Sequence, residues 1–420
     1  MRIATSTIAS IGIDGMNDTQ SQLVSLLTEI STNRTVNLAG DNPVAASQAV
    51  DVQTAVSTNT QYATNRSTAT TSLGLEDTTL SSVTTTIQAI QTLMNKATNG
   101  SLTDSDRASI AASLQTDRDQ LMSLANTTDA NGNYIFGGYQ TSSPPFVDNA
   151  NGIGAAYVGD QGKINSQVSS QRQVATNDPG SNIFMTSTPG ASSPIPSAGS
   201  ANTGSGTLGV VATTQSGAPT NADTYQVAFQ VSANGNTTYT VQDMTPSGTP
   251  PTVQPPGTAQ PYTAGSAIQL GAGQTLTING APADGDTFNV APPTATQSNI
   301  FTTLDNLIAT LKTPSQSASG QTSLTNQLAT FTTQVSNTYT TVLTTHASVG
   351  ARETEVNTLN TQGTSIDTAY QTQLSNLVGL TTDQMAGVYS EMSTIQTQLS
   401  ATQKAFVSVQ GLSLFSMINV

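Results

Sequence analysis

Two segments of the chain have apolar residues at alternating steps of three and four, which is the spacing of a helix packed along one narrow stripe. One segment carries Leu73, Leu80, Val83, Ile87, Ile90, Met94 and Ala97, provided that Glu76 occupies one position of the stripe. The other carries Met385, Val388, Met392, Ile395, Leu399, Thr402, Phe406 and Val409. Two apolar positions in every seven are typical of a coiled-coil contact, so both segments predict long helices that need a partner. For the first segment, the core face of an ordinary helical bundle is an equal alternative.

The later helix has clear start and stop signals. Thr381 and Gln384 form a candidate capping box, and Gly411 is a candidate for the residue after the helix end, so the pattern predicts a helix over 382–410. A partner stripe near the other end of the chain consists of Leu23, Leu26, Leu27 and Ile30. A further helix is expected to start at Asn42-Pro43, because proline favours the first helical position.

The middle of the chain has a different pattern. Of 18 prolines, 17 lie between Pro144 and Pro314, and no Lys or Arg occurs between Arg172 and Lys312. Alternating apolar residues at 225–231 and 239–241 surround Asn234-Gly235, which is a strong hairpin signal. The same alternation in Leu276, Ile278, Phe288 and Val290 surrounds Asn279-Gly280 and Asp284-Gly285. Residues 147–296 are therefore predicted to be all-β, with a proline-rich flexible loop at 246–261.

These patterns predict an α+β multidomain protein in which both chain ends build a long helical coiled coil or bundle and an all-β domain is inserted between them. The expected terminal coiled-coil segment comprises 1–45 with 382–420, and the expected helical bundle comprises 46–146 with 297–381. At about 150 residues per domain, the 420-residue length is compatible with three such parts.

Composition excludes several classes of function. Charged residues make up 9% of the chain, the net charge is −14, and every Lys or Arg is isolated, so nucleic-acid binding is disfavoured. No apolar run is long enough for membrane insertion or for a cleaved signal peptide. With no Cys and one His, the chain lacks the residues of most catalytic and metal sites.

Individual candidates for chemistry are also weak. His346 has no nucleophile motif nearby and is predicted to be a solvated helical residue, and Asp284 and Asp286 are too few for a calcium loop. The glycines of 204–209 match a dinucleotide pattern without the strand and helix that it requires. We therefore expect no catalytic residue, no metal and no cofactor, and the protein is not expected to be an enzyme.

Several segments resemble known flagellar proteins. The stretch 27–46 resembles the N-terminal signature of the flagellin superfamily, with Asn33 at a glycine position and Asn42 in place of the second acidic residue. Asn33 suits a left-handed helix end, and Asn42 remains a competent helix cap. Within the superfamily, 131–141, Pro145-Phe146, 157–160, 349–352 and the two chain ends are similar to the hook-filament junction family rather than to flagellin. The resemblance covers roughly 1–185 and 300–420.

The resemblance implies a structural subunit, exported unfolded through the flagellar type III apparatus with a chaperone and without signal cleavage. It would polymerise outside the cell as a ring between hook-associated protein one and the flagellin filament. Paired chain ends would form the assembly interface. Its expected residues are Leu23, Leu26, Leu27, Ile30, Met385, Val388, Met392, Ile395, Leu399, Phe406, Leu412, Leu414 and Phe415. A flagellin-type filament subunit and a secreted adhesin or enzyme that uses the β domain remain alternatives.

Overall fold

Seven α-helices, one short 3-10 helix (Pro219–Ala222) and twelve strands are present in the computed structural model, which describes residues 5–187, 192–245, 257–315 and 317–418. The helices are α1 (Thr5–Thr32), α2 (Pro43–Ala97), α3 (Asp104–Ala125), α4 (Ser181–Phe184), α5 (Ile300–Lys312), α6 (Ala318–Val378) and α7 (Thr382–Ile418). The strands are β1 (Phe146–Asp148), β2 (Ala155–Tyr157), β3 (Asn165–Ser169), β4 (Arg172–Ala175), β5 (Ile195–Ala198), β6 (Thr207–Thr213), β7 (Tyr225–Val231), β8 (Thr237–Asp243), β9 (Gln260–Pro261), β10 (Ala267–Leu270), β11 (Gln274–Asn279) and β12 (Thr287–Ala291). The predicted α+β fold class is confirmed, with helices toward both chain ends and β structure in the middle.

The ends of α1 and α2 follow from local sequence signals. Asn33 has φ 54°, and the Arg34 N–H donates to the Glu29 carbonyl at 3.2 Å, as in a Schellman helix end. The side chain of Asn42 accepts the Ala45 N–H at 3.1 Å, directly before α2 begins at Pro43. Both predicted caps are confirmed.

The start of α7 was predicted correctly and its end was not. The Thr381 N–H donates to Gln384 Oε1 at 3.0 Å, and the Gln384 N–H donates to Thr381 Oγ1 at 3.3 Å, which completes the capping box. The helix continues past Gly411 to Ile418. A helical glycine costs only about 1 kcal/mol relative to alanine, and the leucines that follow favour a helix, so Gly411 does not end it.

The chain divides into two compact units, and the division falls inside α2 and α6. The first unit comprises 1–65 with 358–420, and the second comprises 66–357. The three-part division predicted from the sequence, with boundaries near 45, 146, 296 and 381, stays a prediction.

The helical core of the second unit is built on stripes of α2 and α6. Along α2, the residues at alternating steps of three and four are at most 3% exposed, and Glu76 lies among them at 2%; they are Ala69, Leu73, Glu76, Leu80, Val83, Ile87, Ile90, Met94 and Ala97. Residues seven apart on α6 are at most 1% exposed, namely Leu328, Val335, Val342, Val349 and Val356. Asp77 faces His346 and Gln88 contacts Tyr339, so the two helices run antiparallel. The predicted place of Glu76 in the stripe is confirmed.

An aromatic cluster joins the short strands to α5 within the same unit. Its rings lie 5.2–6.1 Å apart between centroids and belong to Phe136, Phe146, Tyr157, Phe184 and Phe301. Arg118 of α3 lies over Phe301 and pairs with Asp148 and with Asp305, the latter at 3.1 Å. Residues 146–184 therefore pack with α5, close to the helical core.

The remaining strands form a two-layer β-sandwich. One sheet has the order β5-β12-β7-β8-β9 and the other β10-β11-β6, with antiparallel pairing throughout. Their facing side chains form one core, which consists of Leu208, Tyr225, Val227, Phe229, Ile268, Leu270, Leu276, Ile278, Phe288 and Val290. The β7–β8 hairpin at Asn234-Gly235 is confirmed, and Gly235 has φ 80°.

The second hairpin-like pattern connects the two sheets instead. β11 pairs with β10 and β6, whereas β12 pairs with β5 and β7. A hairpin and a pair of strands in opposite sheets of a sandwich both require alternating apolar residues. The sequence pattern therefore could not distinguish between these two arrangements. Of the predicted loop at 246–261, residues 246–256 lie outside the described residues, and Gln260–Pro261 form β9 against β8.

Polar contacts attach the sandwich to α6. Asn326, 3% exposed, accepts the Leu208 N–H at 2.7 Å and donates to the Gly206 carbonyl at 3.1 Å. Asn337 makes the same pair of contacts with Ser193, at 2.7 and 2.8 Å. Ser187 and Ser298, on either side of the sandwich in sequence, have hydroxyls 2.6 Å apart.

Candidate assembly interface

The first unit pairs the two ends of the described chain, because α1 packs against α7. Between 381 and 408, only seven residues are not exposed, and they follow the predicted spacing. Ile395 is 5% exposed, and the other six are half-buried: Met385, Val388, Met392, Leu399, Thr402 and Phe406. This set is the α7 stripe.

On α1 the matching positions extend further than the sequence indicated. Buried or half-buried residues occur at steps of four and three at Gly12, Met16, Thr19, Leu23, Leu26 and Ile30, and we call this set the α1 stripe. Gly12, Met16 and Thr19 were missed because glycine and threonine give no apolar signal, which left Met16 isolated. Leu27 is 47% exposed and lies outside the stripe.

Contacts at both ends of the pair make it antiparallel. A side-chain β-carbon built on Gly12 would lie 3.1 Å from the Phe406 ring, so Gly12 lies directly opposite this aromatic and a larger residue there would displace the ring. At the other end, the Thr35 N–H donates to the Val378 carbonyl at 2.9 Å, and the Leu380 N–H donates to the Asn33 carbonyl at 3.1 Å. The turn after α1 is thereby tied to the connection between α6 and α7.

The α1–α7 contact is thin compared with the core of the second unit. Among the side chains that the structure describes in this pair, up to residue 408 of α7, only Leu26 at 7% and Ile395 at 5% are buried, whereas Leu73, Leu80 and Val83 in the second unit are 0% exposed. Since hydrophobic stabilisation scales with apolar area removed from water, this pair contributes little on its own.

Apolar side chains also face outward from the first unit. Seven large apolar residues within 5–65 are 44–72% exposed: Ile11, Ile13, Val24, Leu27, Leu38, Val44 and Val50. On α7, Tyr389 is 48% and Val407 is 70% exposed. Exposed apolar surface of this extent is typical of proteins that associate.

Like charges meet in the same unit. Partial burial, and then the carboxylates of Asp41 and Glu391, raise the pKa of Glu29 above its usual value. Glu29 belongs to α1 and Glu391 to α7, so their repulsion weakens the pair at neutral pH.

The last three residues of the predicted interface cannot be placed. Leu412, Leu414 and Phe415 belong to α7, but their side chains lie outside the described residues. The assignment of all thirteen residues to an assembly interface stays a proposal.

The chemical candidates have structural contacts. His346 lies in a helix, as predicted, and its side chain is 29% exposed, but it is paired with Asp77, whose carboxylate lies 2.8 Å from Nε2. Sequence spacing within one helix could not show a partner on another helix. Asp286 accepts the N–H groups of Thr203 and Ala283 at 2.8 Å, and Asp284 accepts that of Val231 at 2.9 Å.

The described residues also bear on metal and membrane binding. Among them, no three His, Asp or Glu side chains converge in a group that could hold a metal ion. None of the described helices combines the length and the apolar character needed to cross a membrane.

Comparison with known proteins assigns the class of the amino-terminal part of the chain. Residues 3–141 match the model of the bacterial flagellin N-terminal helical region, which includes α1, α2 and α3. The chain therefore carries a flagellin-type amino-terminal region. The segment that suggested the flagellin superfamily, 27–46, lies within this match.

Two relatives indicate a more specific resemblance among flagellar proteins. The chain is 43% identical over 191 residues to flagellar hook-associated protein 3 of Salmonella typhimurium, and 40% identical over 184 residues to that of Escherichia coli. These matches cover 46% and 44% of this chain but only 59% and 57% of the relatives, so less than two thirds of their length is matched. The resemblance found in the sequence is confirmed.

Solved structures agree over a larger share of the chain. The FlgL structure of Xanthomonas campestris is 27% identical, with a TM-score of 0.65 over 77% of this chain and 99% of the other. Flagellar hook-associated protein 3 of Legionella pneumophila is 26% identical, with a TM-score of 0.69 over 78% and 98%.

Proposed function

We propose that this chain is a structural, non-enzymatic subunit of the bacterial flagellum that polymerises at the hook-filament junction and connects hook-associated protein one to the flagellin filament. The observation that carries the proposal is the antiparallel pairing of α1 with α7 in a chain that is 40–43% identical, over 184–191 residues, to proteins named flagellar hook-associated protein 3.

The first unit has the properties that assembly requires. Its α1–α7 contact is thin, and its outward apolar residues are uncovered in the single chain. Copies of this chain that pack side by side would cover Val24, Leu27 and Tyr389 and would add the area that the isolated pair lacks. Few exposed charges oppose such packing, since charged residues make up 9% of the chain.

The proposal includes export and location. The chain would leave the cell unfolded through the type III export apparatus, with a flagellar export chaperone and without a cleaved signal peptide, and would act outside the cell. A thin α1–α7 contact supports this route, because it can open at low cost before export and close during assembly. Partners would be further copies of this chain, hook-associated protein one and flagellin.

Immunogold electron microscopy tests the proposal. An epitope inserted at 233–235, in the exposed β7–β8 turn, leaves both helix stripes intact. We expect one gold deposit between hook and filament on each flagellum, and none on cells that carry the untagged chain.

Other distributions of gold would favour the alternatives. Labelling along the whole filament would identify a flagellin-type filament subunit. Absence of label from flagella, with tagged protein elsewhere on the cell or in the medium, would favour a secreted adhesin or enzyme and would contradict the proposal.

A further inference from the structure

Glu76 is a carboxyl group enclosed in the apolar core of the second unit. It is 2% exposed and lies in the α2 stripe between Leu73 and Leu80, which are both 0% exposed. Neither of its carboxyl oxygens is reached by solvent or has a hydrogen-bond partner within 3.5 Å at good geometry, and the backbone N–H of Asp178 favours the charged form only as a lesser effect. A carboxylate without water and without a well-aligned donor is strongly disfavoured, whereas a neutral carboxylic acid fits this position much better.

The charged groups that face Glu76 are already paired with one another. They are Asp178, Arg352 and Lys163. The Asp178 carboxylate accepts a hydrogen bond from the Lys163 ammonium at 2.8 Å and forms an ion pair with the Arg352 guanidinium. Arg352 also donates a hydrogen bond to the Ala175 carbonyl at 2.9 Å. Nearby on the same two helices are the Asp77–His346 pair and the Glu353 carboxylate beside Gly74.

Arg352 connects the helical core to the β3–β4 hairpin. It follows Val349 by three residues and precedes Val356 by four, so it continues the buried stripe of α6. Its contacts with Asp178 and Ala175 hold the chain after β4 against α6. If Glu76 became charged, it would compete with Asp178 for Arg352 and would repel Asp178.

We propose that Glu76 is a proton switch: protonated, it lets the α2–α6 core close, and deprotonated, it loosens the attachment of the β3–β4 segment to α6. The device uses only residues of the second unit, so it does not depend on the proposed function.

The direction of the pH effect follows from the environment. Burial, followed by the negative charge of Asp178, raises the pKa of Glu76 from 4.5 to about 8, although Arg352, the Asp178 backbone N–H and Lys163 oppose this shift. Because the folded state holds the proton more tightly than the unfolded state, folding is most favourable below the unfolded pKa. Stability is then lost as the pH rises from about 4.5 through about 8.

Glu76→Gln tests the proposal, since glutamine has the shape of the protonated acid and cannot ionise. We expect the unfolding equilibrium constant of the wild type to rise relative to this variant by up to about tenfold per pH unit between pH 5 and 8. Glu353→Gln, on the facing helix but half-exposed, should follow the wild-type curve. Parallel curves for wild type and Glu76→Gln would overturn the proposal.

Two further measurements separate the switch from a general loss of packing. The amides of Ile164 and Thr176, which bond to Asn177 and Ile164, should exchange hydrogen faster at pH 9 than at pH 6 after correction for intrinsic rates. Glu76→Gln should abolish this difference. Infrared spectra of the wild type should show a protonated carboxyl at pH 7; absence of that band overturns the proposal even if the variant fails to fold.

Discussion

Charged residues are rare in this chain, and several of those in the second unit are buried. The guanidinium of Arg118 is the clearest example, because its side chain is 7% exposed and reaches two carboxylates on other segments, Asp148 and Asp305. Asp305 is itself 12% exposed and also accepts the Gly154 N–H at 2.7 Å. At the residue scale, the single side chain of Arg118 in α3 therefore connects this helix to Asp305 in α5 and to Asp148 in the β1–β2 hairpin.

Removal of Arg118 should be costly. Arg118→Leu leaves Asp305 buried without its cation, so we expect a loss of about 3 kcal/mol in the free energy of unfolding, measured by urea denaturation with circular dichroism. Arg172 is the control, since its side chain is 55% exposed where it pairs with Glu355. Arg172→Leu should have a much smaller effect. Equal losses for the two variants would show that the Arg118 network is not a structural joint.

At the scale of elements, helices were more predictable than strand partners. The spacing of apolar residues at steps of three and four predicted the stripes of α2 and α7 correctly, including the position of Glu76. Such periodicity depends only on residues within one helix, so the sequence is sufficient to show it. The partners of β11 and β12 were not predictable, since alternation shows which face is buried but not which strand lies opposite.

The candidate site was predictable in part for the same reason. The large apolar members of both stripes were found except Met16, which was missed because its stripe neighbours Gly12 and Thr19 give no apolar signal. Leu27 satisfied the apolar criterion yet faces outward. When two adjacent residues are both apolar, as Leu26 and Leu27 are, the sequence does not show which of them belongs to the stripe. The position of the partner helix determines which one is buried.

At the scale of the whole molecule, the β-sandwich is an insertion with closely spaced ends. The Ser187 and Ser298 hydroxyls are 2.6 Å apart, and the α6 residues that contact the sandwich include the polar Asn326 and Asn337 and the small Ala329. The aromatic cluster of Phe146, Phe184 and Phe301 lies outside residues 188–297, which contain the sandwich.

Excision of 188–297 with a short Gly-Ser linker should therefore leave a folded remainder. Newly exposed Asn326 and Asn337 can bond to water in place of the sandwich backbone, and Ala329, which packs against the sandwich core, has only a small apolar side chain. We expect helical circular dichroism and a cooperative melting transition for the excised protein. As a control, excision of 147–296 also removes Tyr157 and Phe184 of the aromatic cluster and should destabilise the helical core. A molten remainder in both cases would show that the sandwich is required for folding.

The central claim is that the α1–α7 pair is the element through which this chain assembles at the junction. Ile395 is 5% exposed in the middle of the α7 stripe, and Gln398 is exposed on the same helix, so aspartate at the two positions gives a matched comparison. A carboxylate at 395 would be buried without a partner in the paired state, whereas one at 398 would face water.

The decisive measurement is filament growth in cells that carry Ile395→Asp or Gln398→Asp as their only copy of this chain. We predict that both variants reach the medium and that the main melting transition, which belongs to the second unit, is unchanged in both. Ile395→Asp should abolish filaments and release flagellin into the medium, and Gln398→Asp should retain filaments. Normal filaments with Ile395→Asp, or equal loss with both variants, would contradict the claim.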